Sequence, residues 1–171
     1  MRRLLTFWLA TIVAIGVVAV AADASSRTSK DGAVLGFGTM APVTGPFVGS
    51  ANPIRGINGG GLPWQIQQAD GELRSDGRLE VRVRGLVLLD GDPVPVALQG
   101  TNPAPNFQAV VSCLTIVDGA AVTVNVATDP FPATPSGNSR IKAAVSLPSP
   151  CIAPIVFVGP SPTVWFAATG M

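Results

Sequence analysis

Two strongly β-forming runs joined by an Asp-Gly pair constrain this chain more than any other feature. They span Phe107 to Ala127, FQAVVSCLTIVDGAAVTVNVA, with Asp118-Gly119 at the junction. A two-residue type I′ turn needs positive φ at both central positions, and Asp-Gly is one of the pairs that accept it. The density of β-branched residues disfavours a helix here. The sequence therefore predicts a β-hairpin.

The position of the turn also predicts the register of this hairpin. Counting outwards, one face carries Cys113 and Thr115 among valines, and the other is more polar but uncharged. We therefore expect a central pair of strands, with Cys113 on the inside. The predicted pairs are Val117 with Ala120, Thr115 with Val122, Leu114 with Thr123, Cys113 with Val124, Ser112 with Asn125 and Val111 with Val126.

The N-terminal segment has the pattern of a secretory signal. Met1-Arg2-Arg3 is basic, Leu4 to Ala22 is uncharged and mostly apolar, and small-x-small cleavage signatures occur at residues 19–21 and 22–24. We predict a signal peptide over residues 1–24, as an N-terminal signal helix. The alternative is an uncleaved membrane anchor, because a span of about 20 residues crosses a bilayer. No cysteine follows either cleavage site, which argues against a lipoprotein.

The rest of the chain is predicted to form one domain. Residues 25–33 are small and polar, as in a flexible leader, and residues 34–171 form a single all-β domain. Loss of residues 1–24 removes Arg2, Arg3 and Asp23 from the chain's 11 basic and 10 acidic residues, which leaves a net charge of zero. This neutrality argues against a nucleic-acid partner, because such binding depends on clustered Lys and Arg.

Two cysteines in an exported chain predict one disulfide, Cys113 to Cys151. Closing a loop of this length stabilises a fold by about 3–4 kcal/mol in the chain-entropy model. Two thiols without a histidine do not make a usual metal site, and a redox pair is usually closer in sequence. The cysteines are therefore assigned a structural role.

Short alternating segments between turn signals set the fold class. In Leu79 to Leu89, LEVRVRGLVLL, every second residue is apolar until Gly85, after which both faces are apolar. Similar segments at residues 62–73 and 140–147 bring the count to about eight or nine short strands. This predicts an antiparallel β-sandwich or barrel. An immunoglobulin domain is disfavoured because Trp64 and Trp165 lie outside the cysteine pair.

From Gly59 onward the chain contains the segments GGGLPW, GELRSDGRLEVRVRGLVL, NPAPNFQAVVSCLT, VATDPFPATPSGNSRIKAAVSLPSPCIAPIVFV and WFAATG. In these segments it resembles a group of small exported bacterial proteins of unassigned function. The resemblance implies export and a single compact domain. It implies no catalytic or binding residue.

The familiar catalytic and metal-binding patterns are missing. The chain has no histidine, which excludes Ser-His-Asp and Cys-His nucleophile systems and the usual zinc sites. Ser139 and Lys142 have S-x-x-K spacing, but on a strand they point to opposite faces. The carboxylate pairs Asp70 with Glu72 and Asp90 with Asp92 occur beside Asp-Gly turn signals. We predict no catalytic residue, no metal and no cofactor.

Two groups of residues remain as candidates. Arg74, Arg78, Arg82 and Arg84 form a basic strip diluted by acidic neighbours, which is either a solvated face or a contact for a polyanion such as a cell-wall polymer. Five aromatic residues either fill the core or line an apolar cavity. These are Trp64, Phe107, Phe157, Trp165 and Phe166.

These observations predict a secreted, non-enzymatic β-sandwich module that interacts with an unidentified envelope or extracellular partner. We expect membrane contact only through the signal segment, if that segment is not cleaved. Two alternatives stay open: a β-barrel carrier of a small apolar ligand, and a hydrolase that uses carboxylates without histidine.

Overall fold

The computed structural model describes residues 32–170. The predicted signal peptide and residues 25–31 of the predicted leader lie outside this range. No helix among the described residues is long and apolar enough to cross a membrane. Short 3₁₀ turns occur at Gly45–Phe47 and Val96–Leu98. The strands are β1 (Ala33–Phe37), β2 (Ala41–Pro42), β3 (Asn58–Gly59), β4 (Trp64–Gln65), β5 (Gln68–Arg74), β6 (Arg78–Arg84), β7 (Val87–Leu88), β8 (Asn106–Val117), β9 (Ala120–Ala127), β10 (Phe131–Pro132), β11 (Ser139–Ala144), β12 (Ile152–Gly159), β13 (Val164–Trp165) and β14 (Ala167–Ala168).

Most of these strands belong to two antiparallel sheets. The four-stranded sheet has the order β1-β5-β6-β11. The six-stranded sheet has the order β10-β8-β12-β14-β2, and β9 also pairs with β8. Two small sheets join β4 to β7 and β3 to β13. The prediction of an all-β, antiparallel, sandwich-like fold is confirmed. The predicted strand count is too low, because seven of the strands are two-residue pairings.

The core lies between the two larger sheets, because buried residues of both belong to one continuous hydrophobic cluster. Their side chains alternate along each strand, so that one face of each sheet is apolar. The four-stranded sheet contributes Leu73, Leu79, Val81, Val83 and Ile141, and the six-stranded sheet contributes Phe107, Ala109, Val111, Cys113, Val156 and Val158.

The predicted change of phase at Gly85 is confirmed. Strand β6 ends at Arg84, and Gly85 adopts φ +63°, a conformation that a residue with a side chain rarely adopts. A Cβ atom at this position would lie 2.5 Å from Gln67 Cγ. The chain then leaves the four-stranded sheet, and β7 pairs with β4, where Val87 and Leu88 are both buried. The predicted single strand at residues 62–73 is wrong, because β4 and β5 are separate strands in different sheets.

The β8–β9 hairpin has the predicted turn and register. Asp118 and Gly119 have φ values of +51° and +79°, and all six predicted residue pairs occur. The expectation that both strands are central is wrong for β9. Strand β8 has β12 on one side and β9 on the other, whereas β9 has no second neighbour among the described strands. The position of a strand within a sheet depends on distant segments, which the local pattern does not report.

The predicted disulfide is confirmed. It joins Cys113, which is fully buried in β8, to Cys151 just before β12, with Cα atoms 5.0 Å apart. The pairing of β8 and β12 is irregular between Ile152 and Ile155, next to this bond. Arg55 contacts both strands here, since its guanidinium donates to the backbone oxygens of Ser112 at 2.9 Å and Ala153 at 2.8 Å. The side chain thereby joins β8 to β12 beside the irregular pairing.

The second face of the six-stranded sheet is partly covered by the irregular segment 43–61, whereas the outward side chains of β9 are exposed. Phe157 of β12 contacts the ring of Trp165 at a centroid distance of 6.0 Å, and Trp165 contacts Phe47 at 6.4 Å. Gly59 in this segment packs so closely that a Cβ atom would overlap the carbonyl oxygen of Phe47. The segment therefore forms a third layer, although it has almost no regular structure.

Candidate functional site

The four predicted arginines lie on the solvent-facing side of the four-stranded sheet. Arg78, Arg82 and Arg84 alternate along β6 with buried apolar residues, so their side chains share the outward face. Arg74 closes β5 on the same hairpin. This outer surface, which we call the charged face, comprises the outward side chains of β5, β6 and β11 and the turn residue Asp76.

Strand β11 adds two basic residues that the predicted arginine strip did not include. It pairs with β6 so that Arg140 lies opposite Arg82 and Lys142 lies opposite Glu80. The alternating pattern of residues 140–147 predicts that both side chains point outward, and both are exposed. Its pairing with β6 could not be predicted, because more than 50 residues separate the two strands.

Glu80 is at the centre of the ion pairs on the charged face. Its Oε1 accepts hydrogen bonds from Nε and Nη2 of Arg140, and its Oε2 lies 3.6 Å from Lys142 Nζ. Arg82 Nη2 lies 3.8 Å from Oε1, and Arg82 Nη1 lies 3.7 Å from Asp70 Oδ2. The hydrogen bond from Arg140 holds the pKa of Glu80 below its usual value. Because all these groups are solvent-exposed, the pairs add little to stability.

The turn between β5 and β6 holds a second ion pair. The backbone N–H of Arg78 donates to Asp76 Oδ1 at 3.1 Å, and its Nε donates to Oδ2 at 2.7 Å. The backbone hydrogen bond contributes most to lowering the pKa of Asp76. Arg74 Nη1 lies 3.0 Å from Glu72 Oε1. Three of the four predicted arginines therefore contact carboxylates.

Arg84 differs from the other three, because no carboxylate contacts it among residues 32–170. It lines a groove of about 430 Å³ together with Arg82 and Arg140. The rest of the wall is formed by uncharged residues, namely Val83, Pro132, Asn138 and Ser139. A second groove of about 820 Å³ lies over the Glu80 end of the face and has a mixed lining of acidic and basic side chains. The first groove therefore has the greater excess of positive charge.

Charge is strongly segregated in the described part of the chain. Six of its seven basic residues lie on the charged face, together with four of its eight acidic residues. The seventh is Arg55, which bonds to backbone oxygens of β8 and the β12 region. The charged face thus has a net charge of +2 in a chain that is otherwise acidic. Guanidinium groups on neighbouring strands suit bidentate contacts with carboxylate, sulfate or phosphate groups.

The remaining candidates do not converge. Ser139 is buried and its Oγ donates to the carbonyl oxygen of Pro132, whereas Lys142 points to solvent, so the two side chains lie on opposite faces as predicted. Asp90 accepts a hydrogen bond from Gln65. No group of three or more His, Cys, Asp or Glu residues with metal-binding geometry occurs in the described range.

The five aromatic residues predicted for a core or a cavity pack against one another. Trp64 stacks on Phe166 with ring centroids 3.7 Å apart, and Phe107 meets Phe166 edge-on at 6.1 Å. Phe157 contacts Trp165 from the other face of the sheet. All five are buried, which agrees with the core interpretation. Neither of the two grooves on the charged face is lined by any of them.

The chain matches no protein-family model, no curated protein and no solved structure. The resemblance to small exported bacterial proteins therefore stays a prediction. The geometry of the charged face is therefore the only basis for inferring a function.

Proposed function

We propose that this chain is an exported, non-enzymatic binding module whose charged face binds a polyanion of the envelope or the extracellular space. The observation that carries this proposal is the segregation of charge: six of the seven basic side chains among residues 32–170 share one exposed sheet face. Solvation alone does not require such clustering. A polymer with repeated anionic groups fits it, because successive groups can contact successive arginines.

The groove lined by Arg82, Arg84 and Arg140 is the proposed centre of binding. Arg82 and Arg140 are direct cross-strand neighbours, and Arg84 lies two residues further along β6. Side chains at such positions are about 5–8 Å apart at Cβ, close enough to contact one or two anionic groups together. The ion pairs with Glu80 and Asp70 orient Arg140 and Arg82 before a ligand arrives.

The sandwich is favoured over the barrel in this proposal. Both larger sheets are open. The four-stranded sheet ends at β1 and β11, and the six-stranded sheet ends at β2 on one side and at β9 and β10 on the other. The aromatic residues that a barrel carrier would place around its ligand are packed in ring-to-ring contacts. The hydrolase alternative finds no support in the carboxylates, because Asp70 and Glu72 each pair with an arginine.

Binding to polymer probes tests this proposal. The protein is expressed from the full sequence, purified with its disulfide formed, and titrated with a polysulfate, a polyphosphate and a polycarboxylate. We expect Arg84→Gln to weaken binding about threefold to tenfold, the effect of one exposed charge contact. We also expect it to lower the slope of log K against log salt concentration by about 1.

Val96→Glu is the matched control, because it changes the net charge by the same amount at a residue that is 85% exposed and lines neither groove. Equal weakening by both variants would show an effect of net charge only and would contradict the proposed site. Turnover of esters, glycosides or peptides by the purified protein would contradict the non-enzymatic part of the proposal.

A further inference from the structure

Strand β9 has an exposed edge without the features that usually protect edge strands. It pairs with β8 through eight consecutive residue pairs with no bulge. No described residue outside β8 forms a backbone hydrogen bond with it. All of its residues, AAVTVNVA, are uncharged, and none is proline. Charges, prolines, bulges and short length are the usual means of keeping an edge from pairing.

The register of the hairpin shows which backbone N–H and C=O groups of β9 do not bond to β8. In a hairpin with a two-residue turn, the pair that flanks the turn, Val117 with Ala120, is hydrogen-bonded, and the pairs then alternate. The residues between the bonded pairs direct their N–H and C=O groups away from β8. On β9 these residues are Ala121, Thr123, Asn125 and Ala127, and all four are exposed.

The other edges of the two larger sheets are protected. Strand β11 carries Arg140 and Lys142, and β1 has an irregular register between Ala33 and Leu35. Strands β2 and β10 are only two residues long, and each contains a proline. The contrast marks β9 as the edge that is available for pairing. Its tip is also continuous with exposed apolar side chains, since Ile116 is 56% exposed and Ile152 is 47% exposed.

We propose that β9 pairs antiparallel with β9 of a second copy of this chain, which joins two six-stranded sheets across a two-fold axis. When a strand pairs with a second copy of itself, like charges lie close together and repel. The uncharged strand β9 therefore suits this arrangement, whereas β11, with its two basic side chains, does not. A register centred on Val124 sets Thr123 opposite Asn125 of the second copy and Ala121 opposite Ala127. This register uses every outward N–H and C=O group of the strand.

The same register also matches the two faces of the sheet. Val122, Val124 and Val126 are half-buried on the core side, and the two-fold axis places them beside valines of the second copy. The short polar side chains lie together on the other side. An extended segment of an unrelated protein could bond to the same backbone groups. Only a second copy of β9, however, necessarily has valines on one face and short polar side chains on the other.

The test is the oligomeric state of the protein expressed from the full sequence, measured by sedimentation velocity from about 1 µM to 1 mM. We expect a concentration-dependent dimer. Thr123→Pro removes an outward N–H group that does not bond to β8, and we expect it to raise the dissociation constant about tenfold to a hundredfold. Thr123→Lys should do the same through charge, and Thr123→Val is the matched control that keeps the dimer.

Amide hydrogen exchange locates the interface independently of substitution. At high concentration the amides of Ala121, Thr123, Asn125 and Ala127 should gain protection, whereas amides that bond to β8 should be protected at all concentrations. Far-UV circular dichroism confirms that each variant is folded. A monomer at every concentration, or a dimer that survives both Thr123→Pro and Thr123→Lys, would overturn the proposal.

Discussion

The two larger sheets differ in what lies on their outward faces. The four-stranded sheet is open to solvent, and the ion pairs described above all lie on it. The outward face of the six-stranded sheet is uncharged at β9 and partly covered elsewhere by segment 43–61, whose Arg55 bonds to backbone oxygens and not to carboxylates. The difference indicates a division of roles. One sheet presents charge for binding, and the other holds the disulfide and the covering layer that stabilise the fold.

Removal of the disulfide should have the largest effect on stability of the changes that test this difference between the sheets. The double substitution Cys113→Ala and Cys151→Ala should lower the free energy of unfolding by about 3–4 kcal/mol. Polyanion affinity at a temperature where the variant is folded should not change, because neither cysteine lines a groove on the charged face. Urea unfolding monitored by tryptophan fluorescence measures the first quantity, and the polymer titration measures the second. Loss of affinity in the folded variant would contradict the division of roles.

A smaller effect on stability is expected for Arg55 than for the disulfide, and almost none for Arg84. Arg55→Met removes the two hydrogen bonds from a charged donor to the backbone oxygens of Ser112 and Ala153, and should cost about 1–3 kcal/mol of unfolding free energy. Arg84→Met removes an exposed side chain from the other sheet and should change stability by less than about 0.5 kcal/mol. Urea midpoints of the two variants provide the measurement. Similar destabilisation by both would show that the two sheets do not differ in this way.

The smallest effect concerns the pH dependence of stability. Because Arg140 lowers the pKa of Glu80 in the folded protein, the ionised carboxylate favours the folded state. This contribution is present above the unfolded-state value near 4.5 and disappears as the pH falls through the lower folded-state pKa. The wild type should exceed Glu80→Gln in urea midpoint at pH 7, and the difference should shrink as the pH falls below about 4.5. A difference that stays constant as the pH is lowered through the acid range would exclude this origin.

The sequence predicted those features that depend on local chemistry. The Asp118-Gly119 turn fixed every pair of the β8–β9 hairpin, because the turn type and the two-residue period together leave one register. The alternation along β6 predicted which residues are buried. The disulfide followed from there being only two cysteines in the chain.

Features that depend on distant strands could not be predicted. The pairing of β11 with β6 completes the charged face, but Arg140 and Lys142 carry no local sign of their neighbour. Strand β9 was expected at the centre of a sheet because neither of its faces carries a charge, whereas it lies at an edge. Segment 43–61 has no periodicity, so its role as a covering layer follows only from its contacts. Arg84, which no carboxylate among residues 32–170 contacts, differs from its neighbours in having Gln68 opposite it on β5.

The contacts of Arg55 have a consequence for the order of assembly. Its guanidinium bonds to residues 57 and 98 positions later, and its backbone oxygen accepts a hydrogen bond from Asn125, 70 positions later. These three bonds can coexist only when β8, β9 and the start of β12 already lie side by side. Such long-range contacts are slow to form because much chain must be ordered first. The docking of Arg55 is therefore a late event that follows the pairing of β8 with β9 and β12.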